Sequence, residues 1–281
     1  MALQSLDDIY AAIGAGDTHK QPIQKVHVAS GTGTTGRCYD LFLGTGIPAA
    51  GAYSGTAGVA TALTDAGIYH GGDVSTDEKH LLGLSVVSPT GVYNPGWLIL
   101  MDLLLYYPSL VVTGSPTALD NTVTLPRYTD GKGVMAFLVV QTALGAATPS
   151  LTLTYTNSTP TGSRTSSAVV AVANSLPTPT LLGVNGAMFV PLQAGDVGIQ
   201  SVQSYTINSG GTTGTVCLVL ARELARIPLV TVNVPTERDF LSQLPPFPRI
   251  YDGASLSFLL MAGGALTNGA ILAGEADFVW G

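Results

Sequence analysis

The most regular pattern in the chain lies between Gly131 and Asn157. In its second half apolar and polar residues alternate, with Leu151, Leu153 and Tyr155 on one face and Thr152, Thr154 and Thr156 on the other. A period of two belongs to a strand with one buried and one wet face. The first half, Val134–Val140, is a continuous apolar run. Such a run suits a strand buried on both sides, although periodicity alone also allows a short buried helix. Its flanks, Asp130-Gly131 and Gly145 to Pro149, and its β-branched and aromatic content favour strand. The two halves together predict an antiparallel hairpin at the centre of an all-β domain.

Similar patterning predicts strands at Trp97–Tyr107, Thr122–Leu125, Ser166–Ala173, Ile199–Ile207, Thr213–Ala221, Ser255–Met261 and Ile271–Trp280, separated by Gly, Pro, Asn and Asp turns. Roughly nine short strands with no convincing helix between them predict a jelly-roll-like β-sandwich over residues 97–281, with an immunoglobulin-like sandwich as the competitor. Residues 1–96 read differently. Leu3, Leu6, Ile9 or Tyr10, and Ile13 share a stripe at helical spacing, Ser5 is placed as an N-cap, and Gly14 to Gly16 end the helix. Beyond it, short strand-like pieces at Val26–Ala29, Cys38–Leu43 and Leu81–Ser88 flank a stretch of small residues, Gly44–Gly67. That composition predicts an extended Gly/Ala/Thr-rich arm. In the strand-rich part, Glu237–Arg249 reads as a helical turn carrying Phe240, Leu241 and Leu244, followed by a proline-rich strap containing Phe247.

Composition adds a surface argument. Only 10% of the 281 residues are charged, against about a quarter in ordinary domains, and 46% are hydrophobic. With so few charges, part of the surface is expected to be covered by other protein in an assembly. No spanning helix is expected, because Trp97–Tyr107 is interrupted by Asp102 and ended by Pro108. The net charge of −7 and the scattered Lys and Arg residues disfavour direct nucleic-acid binding. Cys38 and Cys217 are expected as buried free thiols. The opening residues lack the basic start and apolar core of a signal peptide, so folding in a cytoplasm is expected.

Candidate chemistry is sparse. Gly31 to Gly36 matches the spacing of a dinucleotide loop, but a strand-like segment follows where a helix is needed. His70, Asp73, Asp77, Glu78 and His80 form the densest group of metal-type ligands; their spacing fits no established metal loop and Lys79 opposes a cation, so a solvated polar loop is the expectation. All four histidines lie within the first 80 positions, away from the strand-rich part. No catalytic residue, cofactor or metal site is assigned. Tyr106, Tyr107, Tyr128, Tyr155, Tyr251, Trp97 and Trp280 form a conceivable sugar-binding set, with core or interface packing the plainer account.

Three stretches carry a resemblance as a set: LPRYTDGKGVMAFLVV (Leu125–Val140), SLTLTYTNSTPTGSRT (Ser150–Thr165) and ERDFLSQLPPFPRIYDGASLSFLLM (Glu237–Met261). With the small-residue N-terminal region they resemble virion structural proteins of tailed bacteriophages, in particular capsid decoration or cement proteins. The resemblance covers residues 97–281 well and the N-terminal region loosely. It implies a non-enzymatic homotrimer on the virion exterior, made in the host cytoplasm, that binds the major capsid protein and stabilises the shell. Leu3, Leu6, Ile9, Ile13, Phe240, Leu244 and Phe247 are the expected assembly residues. The rival is a β-rich tail, fibre or baseplate protein that binds a receptor or carbohydrate. A polysaccharide hydrolase comes third.

Overall fold

The computed structural model describes residues 3, 5–27, 36–74, 76–89, 96–112, 114–145, 149–170, 178–182, 188–208, 213–242, 247–264 and 269–281. The chain is all-β apart from one short helix. Helix α1 (Leu6–Ala15) leads into β1 (Thr18–Val26), β2 (Cys38–Asp40), β3 (Thr45–Ile47), β4 (Thr61–Ala62) and β5 (Lys79–Val87). Then come the long β6 (Gly96–Val111), β7 (Thr117–Ala118), β8 (Val134–Thr142), β9 (Ser150–Asn157), β10 (Arg164–Thr165) and β11 (Val169–Val170). The series ends with β12 (Ile199–Asn208), β13 (Thr215–Leu229), β14 (Thr236–Asp239), β15 (Arg249–Ile250), β16 (Leu256–Met261) and β17 (Ile271–Trp280).

These strands form three antiparallel sheets. The central one runs β2-β16-β6-β13-β8, with β4 added to β6. A second runs β14-β5-β17-β1-β3, with β15 continuing along β5, and a third runs β10-β9-β12-β7, with β11 on β9. The fold is thus two sandwiches that share the central sheet. Its long strands β6 and β13 pair from Thr215↔Val111 to Leu229↔Gly96 and serve both. At one end, Leu98, Leu100, Ala225, Ile227, Phe258 and Leu260 pack on Leu81, Val86, Leu272 and Phe278 of the second sheet. At the other, Leu104, Tyr107, Leu138, Val140, Leu218 and Leu220 pack on Leu151, Leu153, Tyr155 and Ile207 of the third.

The opposite face of the central sheet is buried too. Residues 180 and 181 bridge Tyr39 on β2 and Val139 on β8, joining the sheet's two edges. Leu181 N–H donates to Cys38 O and Leu182 N–H to Leu138 O. The enclosed face carries Ile99, Met101, Phe137, Val139, Val219 and Leu259 with both cysteines, which are free thiols. Burial on both faces explains why β8 reads as an unbroken apolar run over Val134–Val140 and β6 as one interrupted only at Asp102 up to Tyr107.

Three expectations need correction. β8 and β9 do not form a hairpin: β8 pairs with β13 in the central sheet and β9 with β12 in the third. Their apolar faces meet across a shared core instead, which satisfies the same alternation without hydrogen-bonding the two strands together. The described part of residues 1–96 also does not lie apart as an arm. β1 pairs with β17 from Thr18↔Val279 to Val26↔Ile271, and β5 pairs with β17 on its other side. The Gly44–Gly67 stretch supplies β3 and β4 and packs Tyr53 and Leu63 into the enclosed core. Thr122–Leu125 is loop rather than strand.

Candidate functional site

Helix α1 forms as its sequence predicts. Ser5 caps it, its Oγ accepting from Asp8 N–H at 3.2 Å while Asp8 Oδ2 accepts from Ser5 N–H at 2.9 Å. Gly16 ends it at φ +86°, a left-handed conformation that glycine adopts without a steric penalty. Ile9 and Ala12 are buried, and the helix rests against β17. Leu3 is half-buried beside Gly281. The remaining large apolar residues face outward: Leu6 is 56% exposed, Tyr10 66% and Ile13 42%. Their i, i+4, i+7 spacing aligns them along one side of the helix.

The other expected assembly residues divide. Phe240 is 2% exposed and belongs to the core of its own sandwich, with the Arg238 guanidinium over its ring. Phe247 is half-buried, stacked on His80 at 4.5 Å between centroids. Leu244 lies outside the described residues. Of the segment expected as a strap, β14 and β15 both pair with β5 of the second sheet. They cover part of that strand's edge, which would otherwise present open backbone groups.

Among the described residues, no group of three or more His, Cys, Asp or Glu side chains is placed to hold a metal ion. Lys79 explains the geometry around the dense ligand group. Its fully buried ammonium donates to His70 Nδ1 at 2.9 Å and to Gly72 O, and lies 3.4 Å from Asp252 Oδ1. Burial, with the Lys79 charge beside it, pushes the His70 ring down to about 4, so its Nδ1 serves as the acceptor of a cation already in place. Glu78 points elsewhere and pairs with Arg249 at 2.8 Å. Of the residues in the suggested dinucleotide loop, only Gly36 is described.

Asp102, buried, and Asp196, half-buried, both tie the architecture together. Asp102 on β6 is 1% exposed and lies between the two outer cores. Arg127 grips it with Nε to Oδ2 at 3.0 Å and Nη2 to Oδ1 at 2.6 Å, and also donates to Leu63 O and Leu103 O. Ser255 N–H donates to the same carboxylate at 3.0 Å. Burial nevertheless pushes the Asp102 carboxyl above its ordinary value. Asp196 sits in the opposite regime. Arg164, Tyr155 and Asn157 all bond it and hold it down to about 2.

The aromatic set also separates. Tyr107 and Tyr155 are core residues of one sandwich and Tyr106 of the enclosed face. Tyr128 and Tyr251 come together edge to face at 5.0 Å between centroids, beside a cleft of about 780 Å³. Their contact brings together chain positions over a hundred residues apart, which no local pattern marks. Among the described residues, no helix is long and apolar enough to cross a membrane.

No family model matches the chain, and no curated protein does. Among solved structures, the chain is similar to infectious bursal disease virus of the Gx strain, at 10% identity and a TM-score of 0.23, covering 93% of this chain and 80% of that one. It is also similar to a VP2 subviral particle of the same virus, at 8% identity and a TM-score of 0.20, covering 93% and 80%. Superpositions this loose carry no argument about role.

Proposed function

We propose that the chain is a non-enzymatic virion structural protein, a capsid decoration or cement protein that trimerises and binds the outer surface of a major capsid protein. The observation that carries this reading is the outward face of α1. Leu6, Tyr10 and Ile13 stand in water on a helix whose other side is already seated, and exposed large apolar side chains in a row are costly unless something covers them. The scarcity of charge over the whole chain points the same way, as does the resemblance of three of its segments to phage decoration proteins. A short helix seated on a β body with one side outward suits docking to a shell, and three copies together would bind far more tightly than one.

The test is the solution mass of the full chain by size exclusion with light scattering, repeated with Leu6→Glu and Ile13→Glu together. The expected result is a trimer for the natural chain and a folded smaller species for the variant, with binding to capsid particles reduced. A natural chain that stays monomeric at all concentrations and ignores particles would sink the proposal.

A further inference from the structure

We propose that the cleft beside Tyr128 and Tyr251 is a binding site for a carboxylate-bearing saccharide. It opens at the seam between the two sandwiches, and four of the chain's eleven Lys and Arg residues line it. In a chain of net charge −7, four cations against the two carboxylates of the lining, Asp130 and Glu223, are a local concentration of positive charge. Arg127 is committed to Asp102, and Arg249 leans on Glu78. Among the described residues, neither Arg222 nor Lys132 forms an ion pair with a carboxylate, so both charges are available to an anion.

The site is held in shape. The Arg222 guanidinium lies over the Tyr128 ring at 4.5 Å, and its Nη1 donates to Lys132 O at 2.5 Å. Arg249 lies over the Tyr251 ring at 4.6 Å. A side chain at Gly133 would begin 3.1 Å from Arg222 Nη1, so glycine there leaves the guanidinium its place. Tyr128 itself sits at φ +52°, an uncommon conformation for a large residue, anchored by the neighbouring Arg127 fork. A stacked guanidinium with its rotamer already fixed loses little freedom on binding a carboxylate.

The remaining lining selects what carries that carboxylate. Asp130 and Thr129 present acceptors for hydroxyl groups and Glu223 is held by Arg226 at 2.9 Å, whereas Pro126, Leu224 and Pro248 present apolar surface for C–H faces. Hydroxyls, apolar faces and one acid group occur together in uronic acids. The volume is within the range of small-molecule sites, roughly 300–1,000 Å³, and takes a short oligosaccharide.

Calorimetric titration of the full chain with a galacturonic acid trisaccharide tests the assignment, with the neutral galactose trisaccharide and inorganic phosphate as separate probes. The acidic sugar is expected to bind, the neutral one not, and Arg222→Gln is expected to weaken binding by about tenfold or more. Lys132→Gln is the second variant. Its side chain is exposed and makes no hydrogen bond among the described residues, so the variant keeps the fold and should still lose several-fold in affinity, roughly one exposed charge contact. No binding at millimolar sugar, equal binding of the neutral sugar, phosphate binding as tight as the sugar, or unchanged affinity in both variants would each overturn the proposal. The assembly reading stands apart from it, since a trimer with an empty cleft and a monomer that binds the sugar are separate results.

Discussion

Asp102 and Arg127 show how a single residue can join two cores. The carboxylate sits between the outer cores of both sandwiches, where an unpaired charge would be expensive, and five hydrogen bonds from or to this pair offset that cost. Arg127→Met should therefore destabilise the protein by about 3–5 kcal/mol, because the buried carboxylate loses its partner. In urea unfolding, Asp102→Asn combined with Arg127→Met should recover part of that loss; no recovery would mean that packing of the arginine stem, not charge, is what matters. Histidine gives the residue scale a pH dependence. His27 is fully buried, neither ring nitrogen bonded among the described residues, its ring edge against Tyr39, and burial pushes it down to about 4, as it does His70. Below the ordinary histidine value near 6.5 the unfolded chain takes up protons that the folded rings refuse. Stability thus falls as pH drops from about 6.5 to about 4, by about 1.4 kcal/mol per pH unit for each ring. Asp40, raised to about 6 by burial, works in the opposite sense, since the folded state protonates first. The urea midpoint should be lower at pH 5 than at pH 7, and His27→Phe should narrow the gap. The Asp102 fork was not legible in the sequence, and Tyr128 and Tyr251 stood there only within a larger aromatic set, without the contact that joins them. Each brings together residues from distant segments, and single charges or tyrosines carry no period.

At the scale of the element, local signals were read well wherever local physics decides. The cap at Ser5, the left-handed Gly16 and the strands at 134–142, 150–157 and 199–208 follow from short-range patterning. Ser5→Ala should cost about 1 kcal/mol within α1, seen as faster hydrogen exchange at the helix amides with the sheet amides unchanged; an equal effect on the sheets would mean that α1 is part of their cooperative unit. Pairing is decided elsewhere. β8 and β9 were legible as strands but not as members of facing sheets, because alternation marks which side of a strand is apolar and says nothing of which neighbour bonds its edge. Small residues misled for a related reason. In Gly44–Gly67 they permit close approach of backbones within the fold, for which an exposed arm has no need.

At the scale of the whole molecule, β6 and β13 belong to both sandwiches, so neither half can lose its share of the central sheet alone. Thermal unfolding should give one transition, with the same midpoint by far-UV circular dichroism and by tyrosine fluorescence; two separated midpoints would show that the halves melt independently. The pairing of β1 with β17 bears on how the protein comes into being. Lys20 meets Glu275 across that pair, 255 positions along the chain. β3 meets only the end of β1, from Gln24↔Ile47 to Val26↔Thr45, so most of the early strand waits for β17 as an open, partly apolar ribbon while the intervening chain is made. Nascent chains halted before β17 should associate with chaperones or aggregate, and the yield of folded protein should depend on β17 more steeply than on β12, a strand of the same length.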